Sequence, residues 1–155
     1  MNIWVDMDNS PHVPLLLPII KELKTRGYKV IITARDYAQT LELLVIEGVP
    51  FIKIGNHTAK NKFLKIFEIF KRAVRLIKYA KNKQIAFSIN HGSRAQAAAC
   101  KILGIPCYIG MDYEHTESRI FALCSTKIWI PELLFPTLLP SFCVTEYKII
   151  VYKVL

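Results

Sequence analysis

Between Asn2 and Ile130 short apolar runs of strand length alternate with longer amphipathic segments, and three of those segments end on a glycine. Asn2 to Val5, Lys29 to Thr33, Phe51 to Ile54, Ile85 to Ile89, Cys107 to Ile109 and Lys127 to Ile130 are rich in β-branched and aromatic residues and predict strands. Between them, Pro14 to Arg26, Tyr37 to Glu47, about Lys60 to Lys81, Ser93 to Leu103 and about Glu117 to Cys124 predict helices, with Gly27, Gly48 and Gly104 as terminators. The strand runs are too uniformly apolar for a sheet that is wet on one side. This alternation predicts an α/β fold: a doubly wound, mainly parallel, Rossmann-like sheet of about six strands covered on both faces.

After Pro131 the alternation stops, because Pro131, Pro136 and Pro140 break any long element and Val144 to Leu155 is strand-like with no helix behind it. The expected division is a Rossmann-like domain over residues 1–132 and an irregular or incomplete C-terminal tail over 133–155. At 155 residues, 52% hydrophobic and 21% charged, the chain has material for one buried core. Its best candidate for a spanning segment, Val13 to Ile20, stops at Lys21-Glu22, and no apolar run reaches the roughly 18 to 20 uncharged residues a spanning helix needs. No basic region followed by an apolar stretch and a cleavage site precedes the first strand, so a cytoplasmic location is expected. The four cysteines, Cys100, Cys107, Cys124 and Cys143, lack metal-finger spacing and are expected as buried thiols.

The net charge of +9 is local. Nine cations between Lys60 and Lys83 face a single Glu68, leaving that segment with eight of the nine net charges. Phe63, Ile66, Phe67, Phe70, Val74 and Ile77 recur at three- and four-residue intervals, while Lys65, Lys71, Arg72, Arg75 and Lys78 lie away from them. The apolar stripe is expected to pack on the sheet and the cations to be solvated, with anionic lipid headgroups as a partner for the cationic side and peripheral attachment at the inner membrane face. Nucleic acid is not expected, since aromatics committed to the core are not free to stack on bases.

Chemistry collects in the loops after three strand runs, at the edge where open α/β sheets bind ligands. The first loop holds Asp6, Asp8, Asn9, Ser10 and His12; an imidazole at a helix mouth can bind a hydroxyl or act as a base. Asp8 or Ser10 is the expected cap of the first helix. The second loop is His91-Gly92-Ser93, where Gly92 permits close backbone approach and Ser93 can cap a helix whose free amides suit phosphate or sugar hydroxyls. The third, Asp112-Tyr113-Glu114-His115, is the densest titratable cluster of the chain. Asp6-x-Asp8 at a strand end also matches how Mg²⁺-dependent phosphohydrolases of the haloacid dehalogenase type place nucleophile and acid, with Asp112 and Glu114 as a loose second acidic pair.

Taken together, Asp6-x-Asp8-Asn9-x-Pro11-His12-Val13, Thr33-Ala34-Arg35-Asp36-Tyr37-x-Gln39-Thr40, His91-Gly92-Ser93 and Asp112-Tyr113-Glu114-His115 resemble an uncharacterised archaeal and bacterial family of glycosyltransferase-like proteins. That family is similar to the GT-B superfamily, near the UDP-N-acetylglucosamine 2-epimerases and the peptidoglycan N-acetylglucosaminyltransferase, and the likeness covers about residues 1 to 132. It implies two Rossmann-like domains facing a cleft, the N-terminal one handling the acceptor and the C-terminal one the nucleotide sugar. His12 falls where the first glycine-rich loop of the transferase ends in a histidine, and Asp112 and Glu114 fall near the acidic loop after the fifth strand. Ser93 stands where the epimerases carry an acid, against epimerase chemistry.

The resemblance therefore implies an acceptor-side domain with His12, Asp112 and Glu114 as catalytic candidates. Asp8, Asn9, His91, Gly92, Ser93 and His115 are the substrate-binding candidates. A sugar-containing acceptor or a nucleotide sugar is the implied partner, and no cofactor or metal is called for. With the nucleotide-binding half missing, a completing chain or homo-oligomer is implied, and catalysis by this chain alone is not expected.

Overall fold

The computed structural model of the protein describes residues 1–56, 61–112, 119–134 and 148–153. Its strands are β1 (Asn2–Met7), β2 (Lys29–Asp36), β3 (Ile52–Asn56), β4 (Ile85–His91), β5 (Cys107–Gly110), β6 (Lys127–Pro131) and β7 (Ile149–Tyr152). The helices are α1 (His12–Thr25), α2 (Thr40–Ile46), α3 (Lys62–Ala80), α4 (Arg94–Leu103) and α5 (Arg119–Cys124), with a 3-10 turn at Glu132–Leu134.

All seven strands form one sheet in the order β3-β2-β1-β4-β5-β6-β7, and every pairing is parallel. The strand-like tail thus adds a seventh strand, with Ile128 to Pro131 in register against Ile149 to Tyr152. Strands β1, β2 and β4 run further than their apolar runs. Asp6, Thr33, Ser88 and Asn90 are sheet residues, fully buried, because hydrogen bonds inside the fold satisfy their side chains.

Helices α1 and α2 pack on one face with Val5, Met7, Leu16, Ile20 and Leu44; α3 and α4 pack on the other with Trp4, Leu76, Cys100 and Ile109. Successive β1 residues feed opposite faces, so the central strand is apolar on both sides, as buried parallel strands are. The chain order reverses between β1 and β4, which makes their carboxyl ends the switch point where ligands bind in such sheets.

Helix α3 corrects the expected apolar face. Its packed side is Ile69, Arg72, Ala73, Leu76, Ile77 and Ala80, so Ile77 of the expected stripe does face the core, while Ile66, Phe67, Phe70 and Val74 of that stripe, with Leu64, are exposed. The helix is turned by about one residue, ~100°, from the orientation its strongest apolar stripe suggests. Two causes are visible. Ala73 and Ala80 let α3 lie close to the alanine-rich α4, and Arg72 must point inward to reach Asp6. Gly55, at φ +92°, clears the way, since a Cβ there would stand 2.9 Å from Arg72 Cδ. Lys60 lies outside the described residues.

Cys100 and Cys107 are buried thiols and Cys124 is partly buried; Cys143 lies outside the described residues. Among the described residues no helix is long and apolar enough to cross a membrane.

Candidate functional site

The loops after β1, β2, β4 and β5 converge on a cavity of about 380 Å³ at the carboxyl edge of the sheet. Asp8, Asn9 and His12 line it from the first loop, Arg35 and Tyr37 from the second, His91, Gly92 and Arg94 from the third, and Met111 and Asp112 from the fourth. Of the candidate residues, His12, Asp112, Asp8, Asn9, His91 and Gly92 therefore meet. Glu114 and His115 lie outside the described residues.

Ser93 is a correction. It caps α4 by accepting from the Gln96 amide at 3.3 Å, but its hydroxyl is fully buried, donating to Asp6 Oδ2 at 2.6 Å and accepting from Arg72 Nη1 at 3.2 Å. It supports the site from behind and does not line it. The expected Asp8 or Ser10 cap is likewise absent: α1 begins after Pro11 with no side-chain cap, and Asn9 instead accepts from the Ser10 amide at 2.9 Å.

Asp6 is spent inside the protein. Arg72 grips it with Nη2 to Oδ1 at 2.8 Å and Nη1 to Oδ2 at 2.9 Å, Thr33 donates to Oδ1 at 2.6 Å, and Trp4 Nε1 donates to Thr33 at 2.9 Å. Arg72 Nε donates to the Ile54 carbonyl at 2.8 Å, and burial opposes its charge, yet Asp6 and Asp8 hold it protonated beyond the ordinary guanidinium. A carboxylate so neutralised, with no exposed surface, fits neither a nucleophile nor a Mg²⁺ ligand, so the Asp6–Asp8 phosphohydrolase reading has no support here.

Asp8 sits one turn of the pleat further on, facing Arg72 at 3.2 Å and Arg35 at 3.4 Å. Burial pushes its carboxyl up from the usual range while the two guanidiniums pull it down. The Asp8 amide donates to His12 Nδ1 at 3.3 Å. Burial, then the neighbouring His91, lower the His12 pKa to about 4, so the ring is neutral at pH 7 and carries its proton on Nε2. His12 is in that state a hydrogen-bond donor, suited to a hydroxyl or phosphate oxygen.

The His91 ring lies 5.0 Å from the His12 ring, edge to face, and 6.0 Å from Trp129. His91 Nε2 stands 3.3 Å from Asp112 Oδ1. Burial lowers the His91 pKa and Asp112 raises it, with burial prevailing. A neutral His91 donating to Asp112 keeps Nδ1 as its basic nitrogen, the pairing by which a carboxylate orients a histidine base.

Arg35, Tyr37, Arg94 and Arg72 escaped the candidate set. Arg35 and Tyr37 follow a strand run just as Asp8 does, and Arg94 opens a helix, so position at the carboxyl edge was the available signal. Arg72 had none, because it reads as one of the solvated cations of the basic helix.

Residues 1–135 match the profile of a family described as a protein of unknown function, DUF354. The uncharacterized protein MJ0665 of Methanocaldococcus jannaschii is 27% identical over 121 residues, which are 77% of this chain and 35% of that protein. Among solved structures, UDP-GlcNAc 2-epimerase of Neisseria meningitidis bound to UDP-GlcNAc superposes with a TM-score of 0.72 at 16% identity, over 97% of this chain and 46% of that one. A glycosyltransferase of Rickettsia africae gives 0.72 at 17% identity, over 98% and 42%. MurG of Acinetobacter baumannii gives 0.67 at 19% identity, over 83% and 41%. The likeness is one of fold, to a Rossmann-like half of GT-B proteins, and the chain spans less than half the length of each of these relatives.

Proposed function

The chain belongs to the DUF354 family, and on that footing we propose that it is the acceptor-side domain of a glycosyltransferase-like or sugar-nucleotide enzyme, incomplete without a nucleotide-sugar-binding half. Residues 1–132 would carry the acceptor pocket, with 133–155 as the tail beyond it. The observation that supports this best is the meeting of His12, His91 and Asp112 at the switch-point cavity. In this reading a sugar hydroxyl is held by His12 Nε2–H and deprotonated by His91, which Asp112 orients. Arg94, and the backbone at Gly92 with φ +70°, suit an anionic group next to that sugar. The partner is a sugar-bearing acceptor or a nucleotide sugar, and a nucleotide-sugar-binding half would come from a further domain or a second chain. The chain alone would show no transfer.

The test is titration of the chain, followed by histidine NMR signals and by calorimetry, with N-acetylglucosamine 1-phosphate and with UDP-N-acetylglucosamine. The expected result is weak binding of the sugar phosphate that shifts the His12 and His91 resonances and is lost in His12→Ala, with no tighter binding of the nucleotide sugar. Tight, saturable binding of UDP-N-acetylglucosamine by this chain, indifferent to His12→Ala, would overturn the division of labour.

A further inference from the structure

Helix α3 carries its apolar stripe into solvent. Ile66 is 59% exposed, Phe67 58% and Phe70 66%, with Leu64 and Val74 exposed beside them. Ile66, Phe70 and Val74 form a ladder at i, i+4, i+8, which is one continuous ridge along the helix. An isolated exposed apolar residue needs no explanation, but a contiguous ridge with two phenylalanines does.

The ridge has a defined border. Lys71 and Arg75 each follow a ridge residue by one position, which places them about 100° further round the helix, on the side away from the sheet. Lys78 continues that row, and all three are exposed. The helix holds one acid, Glu68, which pairs with Lys71 at 3.7 Å. Apolar ridge and cationic row are thus adjacent strips of one convex surface.

We propose that α3 docks the protein on an anionic lipid bilayer, with Ile66, Phe67, Phe70 and Val74 entering the headgroup–acyl boundary and Lys71, Arg75 and Lys78 neutralising lipid phosphates. A helix lying in the interface plane needs this composition: an apolar strip for insertion and a cationic strip for attraction to the surface. A second copy of the chain fits poorly, because apposing two such ridges brings Lys71, Arg75 and Lys78 against their own equivalents. Single-stranded nucleic acid is bound in grooves that present rings for stacking, whereas this surface is convex and half its ridge is aliphatic.

Docking here would also set the cavity close to the bilayer. A helix that follows a strand of a parallel sheet starts at the carboxyl edge, so the ridge's Phe67 end lies toward the edge where Asp8 and His12 sit. One helical turn on, Ile69 and Arg72 of the packed face share a small crevice with Asp8, Arg35 and Arg94. The proposal stands on α3 alone and holds whether or not the cavity binds a sugar.

The experiment is co-sedimentation of the full chain with phosphatidylcholine vesicles and with vesicles containing about one-third phosphatidylglycerol, at low and high salt. Expected is binding at least ~10-fold stronger to the anionic vesicles, weakened by salt, and reduced ~10-fold or more both in Phe67→Ser/Phe70→Ser and in Lys71→Glu/Arg75→Glu. The four side chains are exposed, so thermal melting should match the parent and exclude misfolding as the cause. Failure to bind anionic vesicles, or binding that both variants retain, would overturn the proposal. So would finding, by sedimentation velocity or oligonucleotide titration, that the ridge serves self-association or nucleic-acid binding while vesicles are ignored.

Discussion

Arg72 and Asp6, 66 residues apart in the chain, meet through two parallel hydrogen bonds of 2.8 and 2.9 Å with both side chains withdrawn from solvent. The pair ties α3 to the central strand, and Arg72 extends it to Asp8 at the cavity. Arg72→Met strands a buried carboxylate among Thr33 and Ser93, and is expected to cost ~3–5 kcal/mol in urea unfolding. Arg72→Met with Asp6→Asn should cost clearly less than the two single changes added together, because each alone leaves the other group without its partner.

Stability should fall as the solution is acidified through the histidine range. The His12 pKa is about 4 in the folded chain and returns to its ordinary 6.5 when unfolded. Between those values the unfolded chain binds more protons, so unfolding becomes easier as pH drops, by up to ~3 kcal/mol at the acid end of the window. Asp8, whose carboxyl is shifted up by burial, works in the opposite sense, so the measurement is the difference between parent and His12→Asn across pH 4 to 6.5. A parallel pair of stability curves would contradict a buried neutral His12.

Removing the Asp112 carboxylate should lower the His91 pKa further, since Asp112 is what holds it up against burial. Asp112 is 59% exposed at its side chain, so Asp112→Asn should leave the melting temperature within a degree or two while moving the His91 NMR titration to lower pH. An unmoved titration would separate the two residues.

Gly110 is where backbone and ring nearly touch. A Cβ there would stand 2.3 Å from Trp129 Cζ2, so Gly110→Ala must displace the indole, at an expected cost of ~1–3 kcal/mol. Trp129 also lies against His91 and Tyr152, so altered tryptophan fluorescence and a shifted His91 resonance should accompany the loss.

The alternation of apolar runs with Gly27, Gly48 and Gly104 made the strand–helix order legible, because each signal is local and lies within one element. The carboxyl-edge logic likewise located Asp8, His12, His91 and Asp112. What could not be read was partnership across the fold. Asp6 and Asn90 fall just past their predicted strand runs and read as loop polarity, yet each is a sheet residue whose hydrogen-bond partner is far away in sequence or reached only by folding. The orientation of α3 is not legible in the sequence for the same reason. Periodicity ranks faces by hydrophobicity, but the close fit of Ala73 and Ala80 on α4 and the demand of Asp6 for Arg72 decided which face went inward. Phe67 and Phe70, expected in the core, are consequently on the surface.

The order β3-β2-β1-β4 also sets the timetable of folding. Of the seven strands the inner strand β1 comes first in the chain, but one of its two flanks is β4, with Asn2 in register against Ile85, and its carboxylate waits for Arg72. A ribosome has to deliver the chain as far as β4, which ends at His91, before β1 can be flanked on both sides, so the contacts that matter most are distant ones, and folding of such a topology is slow and aggregation-exposed.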